Sequence, residues 1–310
     1  MPRHLFVVDP LANIDITKDS SFALMLAATK RGHEVYSCDI SGLFGKIGIG
    51  YANCQPTRVQ AVKGNHVQFG NTEVLELGAF DVVWMRKDPP FDMTYIAATY
   101  VLDLAPASTR VWSRPEALRT WNEKTSILRF PDLAPPSLLT RDSKEIQRFQ
   151  AEVGGSVVVK PLGWSGGRGI VALHPGDLNT RSLLEITTKE GQEWVMVQRY
   201  LPEVVQGDKR VIFVGGVARA GLLRVPPADD LRGNIHIGAT TELSPLTPQE
   251  EALCAVLGPH LVAAGHLFTG IDLIGGRLTE INVTSPTGIQ EIRDLGGPDL
   301  AEELLTAALA

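Results

Sequence analysis

Residues 269–282 read TGIDLIGGRLTEIN, two apolar runs meeting at Gly275-Gly276. The pattern predicts a β-hairpin, His266–Ile274 with Arg277–Val283. Asp272, Glu280 and Asn282 interrupt strands that are otherwise apolar, where a buried carboxylate is costly unless paired or ligated. Three hard oxygen donors suit Mg²⁺, which takes its remaining ligands from water and substrate phosphates. Side chains alternate across a strand, so Glu280 and Asn282 share a face. Asp272 joins them if the loop has an odd number of residues, as in a three-residue turn ending in a left-handed glycine. A two-residue Gly-Gly turn would send it to the opposite face. The plain alternative is a hairpin with three edge-exposed polar residues; the apolar character between them favours the metal site.

Working outward, a helix is predicted at Gln249–Ala264, opened by Pro248 and closed by Gly265, and a last helix at Leu300–Leu309. Upstream lie β-rich runs at Ser156–Lys160, Gly169–Leu173, Trp194–Gln198 and Lys209–Val214. At the other end, His4–Val8 reads as a buried strand. Asp19 and Ser20 offer a cap for a helix whose Phe22, Leu24, Met25 and Ala28 form ordinary core. His33–Cys38, Phe80–Met85 and Arg110–Trp112 continue the strands, and residues 45–73 read as a hairpin or irregular insertion. A strand–helix–strand opening begins doubly wound domains. The fold class is therefore α/β and α+β: an N-terminal doubly wound α/β domain, then an α+β region of two lobes. The change of character falls near residues 114–125.

Bulk properties narrow the function. The 310-residue chain carries a net charge of −6, with 44% hydrophobic and 21% charged residues. That balance argues against coating nucleic acid or an anionic membrane. No apolar stretch reaches the length of a membrane span or a signal-peptide core. Cys38, Cys54 and Cys254 are too few and too far apart for a disulfide framework or a CxxC pair, which fits a reducing cytoplasm.

Residues 157–169, VVVKPLGWSGGRG, place Lys160 at the end of a strand before a glycine-rich loop whose backbone N–H groups can approach phosphate oxygens. Neither GxxxxGK[ST] nor GxGxxG occurs, and a hairpin turn is the ordinary alternative. Arg86, Lys87, Lys124, Lys209, Arg210, Arg224 and Arg232 sit at strand ends or in turn-rich segments. For each alone a solvated surface is the usual reading; beside a metal site they suggest anion binding. The segment 225–238, rich in Pro, Asp and Gly, has the composition of a lid or of a surface loop. The seven histidines show no metal spacing. His174, His260 and His266 read as surface or helix-end residues, and His236 falls in the candidate lid. No electropositive cysteine points to covalent catalysis.

Together, DPLANIDITKDSSFA (9–23), MRKDPPFD (85–92), NEKTSIL (122–128), KPLGWSGGRG (160–169), GDKRV (207–211), LRGNIHIGA (231–239) and LTEINVTSPTG (278–288) resemble the bacterial glutathione synthetase family, a branch of the ATP-grasp superfamily. The resemblance runs over nearly the whole chain. It implies an N-terminal domain at 1–121 and an ATP-grasp domain at 122–310, with a small lid lobe at about 126–202 and a phosphate loop at 163–169. It implies ligation of glycine to γ-glutamylcysteine through an acyl phosphate, with ATP as co-substrate and Mg²⁺ (or Mn²⁺) as cofactor. By resemblance Lys124, Lys160, Gly166 and Gly167 meet phosphates, while Gln198, Tyr200 and Leu201 receive adenine and Asp208 the ribose. Asp272, Glu280 and Asn282 match the metal ligands. Arg210, Arg224 and Arg232 are the implied catalytic residues, and Arg86, Lys87, Asp88, Asn234, Ser285 and Thr287 join Arg210 and Arg224 on the substrate side. The family's tetramer is a further expectation. Gly163-Trp164 replaces the family's usual Asp-Gly, and Asn234–Ala239 replaces its usual small-residue Gly-Gly run. The altered lid leaves a ligase with another amine as one alternative; a non-catalytic nucleotide-binding regulator is a second.

Overall fold

The structure is a computed structural model that describes residues 1–226 and 240–310. Parallel strands Glu34–Cys38, Arg3–Val7, Val82–Met85 and Arg110–Trp112 lie side by side in that order. Alternation along them divides the core. Leu5, Val7, Val83 and Met85 pack with Tyr95, Ala98 and Leu102 of the helix Met93–Leu102. Phe6, Val82 and Trp84 pack with Phe22, Leu24 and Met25 of the helix Ser20–Lys30. One helix thus covers each face, as a parallel sheet requires. Asp19 caps the second helix, accepting from Phe22 N at 2.6 Å.

Residues 45–73 are not irregular. Leu43–Lys46, Ile49–Val59, Val67–Phe69 and Glu73–Glu76 pair antiparallel, and Ile49–Val59 joins the main sheet beside Glu34–Cys38. Its buried face is made of small residues (Gly50, Ala52, Cys54), so the alternation is weak in hydropathy. Neighbouring chain explains the small size: a Cβ on Gly50 would stand 2.6 Å from a Leu77 methyl and 2.9 Å from the Val101 carbonyl.

Two further sheets follow. Val171–Leu173, Val157–Pro161, Val195–Arg199 and Ser137–Thr140 form a four-stranded antiparallel sheet. Val157, Val159, Val195 and Val197 face a separate small core shared with Ile146 and Leu184 of the helices Ser143–Glu152 and Thr180–Thr187. Alternation then sends Val158, Lys160 and Gln198 to the opposite face, into a cavity. The third sheet runs Thr240–Leu243, Val217–Val225, Asp208–Val214, Phe268–Ile274, Arg277–Asn282, all antiparallel. On it packs the helix Pro248–Ala264, with a capping box at Thr247 and Glu250 and a left-handed Gly265 at its end. That helix meets the sheet at Gly258 and Gly216, where a Cβ on Gly258 would be 2.2 Å from the Gly216 carbonyl oxygen. The candidate lid beyond Pro226, with Arg232, Asn234 and His236, lies outside the described residues. Among the described residues no helix is long and apolar enough to cross a membrane.

His174 and His260 are exposed as expected, but His266 is not. It is 2% exposed, edge-on to Trp121, and neither ring nitrogen has a partner among the described residues. Burial, helped by Arg129, pushes its pKa down from 6.5 to about 4. The folded state therefore binds fewer protons there than the unfolded chain, and this contribution is lost as pH falls from 6.5 toward 4. His266→Phe should flatten the fall in urea stability over that window; an unchanged slope would place it elsewhere, in His4, whose pKa burial also lowers to about 4.

Candidate functional site

The hairpin turns on two residues, Gly275 at φ +55° and Gly276 at φ +72°. Ile274 faces Arg277 and Leu273 faces Leu278, but Asp272 faces Glu280 and Gly270 faces Asn282. Thr279 is therefore an extra residue, a β-bulge that the sequence reading did not include. A two-residue turn alone would have separated Asp272 from Glu280; the bulge brings them back to one face. Buried Thr279 donates its hydroxyl to the Asp272 carbonyl at 3.1 Å.

Cross-strand pairing then builds a row of charges over four strands. Arg224 stands opposite Asp208, and Arg210 opposite Asp272. Arg210 grips Asp272 with both prongs of its fork, Nε to Oδ1 at 2.8 Å and a terminal N–H to Oδ2 at 2.7 Å. Arg224 reaches Asp272 Oδ1 at 3.0 Å and Asp208 Oδ2 at 2.5 Å. Asn282 donates Nδ2 to Asp272 Oδ2 at 3.2 Å, which leaves its carbonyl oxygen as the end for a cation. Burial would raise Asp272, and Arg210 and Arg224 more than offset it, holding the carboxyl well below the usual range. Asp208 behaves oppositely: burial pushes it up to about 6 against Arg224, and its Oδ1 has no partner among the described residues.

Two lysines from separate segments converge on the far member of this row. Lys124 Nζ and Lys160 Nζ each lie 3.9 Å from Glu280 Oε1. Asn122 shapes the turn before Lys124 by accepting from Lys124 N and Thr125 N at 3.1 and 3.2 Å. Lys124 Nζ also donates to the Trp164 carbonyl at 2.5 Å, tying it to the glycine loop. In that loop Gly166, Gly167 and Gly169 all have φ near +70°, a conformation side chains resist. Burial lowers Lys160, with Glu280 opposing.

Between the second and third sheets a cavity of about 510 Å³ opens, a size that suits a nucleotide. Lys124, Lys160, Gly166, Gly167, Asp208, Arg210, Arg224, Asp272, Glu280 and Asn282 all line it. So do Gln198 near the end of its strand, Tyr200 and Leu201 on the connection between the sheets, Asp88 from the N-terminal domain, and Ser285 and Thr287 after the hairpin. Three of the basic residues turn elsewhere. Lys209 is buried against Glu250 at 2.7 Å. Lys87 pairs with Asp9 at 2.8 Å. Arg86, 5% exposed, does not line the cavity: it donates to Ser21 Oγ at 3.0 Å and the Pro286 carbonyl at 2.8 Å while lying over the Phe268 ring. It holds the loop that presents Ser285, whose hydroxyl donates to the Asp88 carboxylate.

Sequence reasoning missed Lys18, Glu123 and Glu291, which also line the cavity. Glu123 adjoins Lys124 and accepts from Thr284 Oγ1 at 2.6 Å and from the backbone of Val283 and Thr284. Only its place beside that lysine could have drawn attention to it. Among the described residues no three His, Cys, Asp or Glu side chains gather for a metal. The donor set Asp272, Glu280 and Asn282, hard oxygens on one face, nonetheless fits a divalent cation that shares its shell with phosphates.

A family model described as prokaryotic glutathione synthetase, N-terminal domain, matches residues 3–119, and one described as prokaryotic glutathione synthetase, ATP-grasp domain, matches 123–297. The glutathione synthetase of Synechococcus elongatus is 43% identical, over 97% of this chain and 96% of its own length. That of Bradyrhizobium diazoefficiens is also 43% identical, covering 96% and 94%. Among solved structures, D-cycloserine synthetase DcsG superposes with a TM-score of 0.67 over 99% of this chain and 98% of its own, at 14% identity. The ATP-grasp ligase PsnB, complexed with minimal precursor, Mg and ADP, gives 0.62 at 18% identity, covering 98% and 97%. These two support the fold alone.

Proposed function

Because the chain belongs to the prokaryotic glutathione synthetase family, we propose that it makes glutathione by ATP-dependent ligation, joining the amine of glycine to the cysteinyl carboxyl of γ-glutamylcysteine. It is a C–N ligase of the ATP-grasp type. The observation that carries the reading is the convergence of Lys124 and Lys160 on Glu280, beside an arginine-bound Asp272, in one cavity.

Lys124, Lys160 and the backbone of Gly166 and Gly167 hold the phosphates; Gln198, Tyr200 and Leu201 receive the adenine, and the bare oxygen of Asp208 accepts from a ribose hydroxyl. Asp272, Glu280 and Asn282 would hold Mg²⁺, or Mn²⁺ in its place, which when bound neutralises phosphate charge. Arg210 and Arg224 lie where the carboxyl of the dipeptide meets the transferring phosphoryl group and offset the charge of the acyl phosphate. Arg232 and Asn234 carry the same proposal from sequence. Asp88, Ser285 and Thr287 contact the peptide, and Arg86 and Lys87 support that side from behind. Positioning and charge neutralisation do the chemistry, since phosphoryl transfer asks little covalent work of the protein.

We further propose a boundary at residue 121/122, with the lobe at about 126–202 closing over the nucleotide. The chain works in the cytoplasm, away from nucleic acid and membrane, as a homo-oligomer for which the family suggests a tetramer. Phosphate release with ATP, Mg²⁺, γ-glutamylcysteine and glycine, each omitted in turn, tests the reading. Release that needs all four, with glutathione as product, is expected. Release indifferent to glycine would point to another amine, and ATP binding without release to a regulator.

A further inference from the structure

The strand Arg277–Asn282, which carries Glu280 and Asn282, is the last of its sheet, so N–H groups on its outer edge have no strand to pair with. An earlier part of the chain covers that edge. Leu278 N donates to the Leu133 carbonyl and Ile281 N to the Glu123 carbonyl, both at 2.9 Å. Past the end of the strand the Glu123 side chain takes over from the backbone. Its Oε1 accepts from Val283 N at 3.3 Å, Thr284 N at 3.2 Å and Thr284 Oγ1 at 2.6 Å, while Oε2 accepts no hydrogen bond among the described residues. Bonds to a charged acceptor are stronger than their neutral counterparts, so three on one oxygen make a firm hold. Lys124 follows Glu123 directly, with its Nζ 3.9 Å from Glu280 Oε1, and Ser285 to Thr287 follow Thr284 directly. One buried side chain thus stands between a phosphate lysine, the carboxylate strand and the loop on the peptide side.

Resting on the ligase reading above, we propose that Glu123 is a positioning residue: by clamping Val283 and Thr284 it sets the spacing between Lys124, Glu280 and the Ser285–Thr287 loop that phosphoryl transfer requires. The clamp needs an acceptor oxygen. It does not need the negative charge that a general base or an ammonium ligand would need. Glutamine, turned with its carbonyl toward Thr284, keeps the acceptor and drops the charge; alanine drops both. Misplacement by about an ångström at a reacting centre costs on the order of 10²-fold in rate. Lys160 and Gln198 stand on another sheet, so nucleotide binding depends little on the clamp.

Steady-state turnover with ATP, Mg²⁺, γ-glutamylcysteine and glycine tests the clamp. Glu123→Ala should lower kcat roughly 30- to 100-fold while KM for ATP stays within about threefold of wild type. Glu123→Gln should keep kcat within about fivefold, because the acceptor remains. Thr284→Val, which removes only the hydroxyl donor, should lower kcat by about 3- to 10-fold. Added to Glu123→Ala it should cost little more, since both act through one contact. A side chain that merely held the fold would lower the urea midpoint of Glu123→Ala and leave the folded enzyme's kcat at the wild-type level, which would overturn the proposal. A loss in Glu123→Gln as deep as in Glu123→Ala would overturn it as well, assigning Glu123 a direct charge on substrate. If Glu123→Ala does not fold, the other two single variants decide: full activity in Thr284→Val, or a loss beyond 30-fold in Glu123→Gln, refutes the clamp. A wild-type protein that releases no phosphate from these substrates would overturn the ligase reading itself, and the positioning role with it.

Discussion

Glu280→Gln should lower kcat by about 10³-fold or more while the protein stays folded. Its carboxylate is the one member of the charged row not gripped by an arginine within the described residues; it meets only Lys124 and Lys160, at 3.9 Å, the outer limit of an ion pair. Both lysine side chains are nearly buried, so losing their shared counter-charge should cost some stability, though less than at Asp272, whose arginine contacts are close hydrogen bonds. Glutamine keeps the shape and removes the charge. With Glu280 no longer opposing the effect of burial on Lys160, that lysine becomes easier to deprotonate, and the site as a whole becomes more positive. Metal-free ADP should then bind as well as before or better, while added Mg²⁺ ceases to help nucleotide binding. Calorimetric titration of ADP with and without Mg²⁺ separates these effects. Wild-type turnover, or an undiminished Mg²⁺ response, would remove Glu280 from the metal set.

Asp272→Asn should abolish turnover and also destabilise the fold by about 3–5 kcal/mol, because it strips the counter-charge from buried guanidinium groups. Arg210 loses both ends of its fork, and among the described residues no other carboxylate pairs with it. Arg224 keeps Asp208, so the loss falls mainly on one arginine. In the wild type the depressed Asp272 pKa means its stabilising share is present above the ordinary aspartate range and lost as pH falls through the depressed folded value. The variant lacks that share at every pH. Urea denaturation at neutral pH measures the difference directly; a variant as stable as the wild type would show that Arg210 finds another partner.

These two residues also mark what the sequence could disclose. Carboxylates inside apolar strands are visible at once, because burial makes them expensive, and the hairpin and the proposal of a metal site on it follow. The bulge at Thr279 leaves no such mark: the same letters fit a two-residue turn with a bulge or a wider turn without one. Small buried residues hide a strand for a related reason, as at Gly50, Ala52 and Cys54, where close packing rather than hydropathy sets the choice. Arg86 lies inside a recognisable motif, yet its side chain turns to the Pro286 carbonyl, since motif membership fixes position along the chain and not direction. Lys18 and Glu291 stand almost a whole chain apart, and only folding brings both to the wall of one cavity.

Counting between Asp272 and Glu280 gives a rule for how this hairpin can change. Opposed residues on a hairpin must enclose a fixed parity of chain, and here a tight turn with one surplus residue meets the same condition as a three-residue turn with none. The two designs are interchangeable at constant length, so a lineage could trade the bulge for a wider turn without disturbing the opposed carboxylates. An insertion or deletion of one residue has no such freedom. It would carry one carboxylate through the sheet to the other side, so length within this segment is constrained even where identity is not.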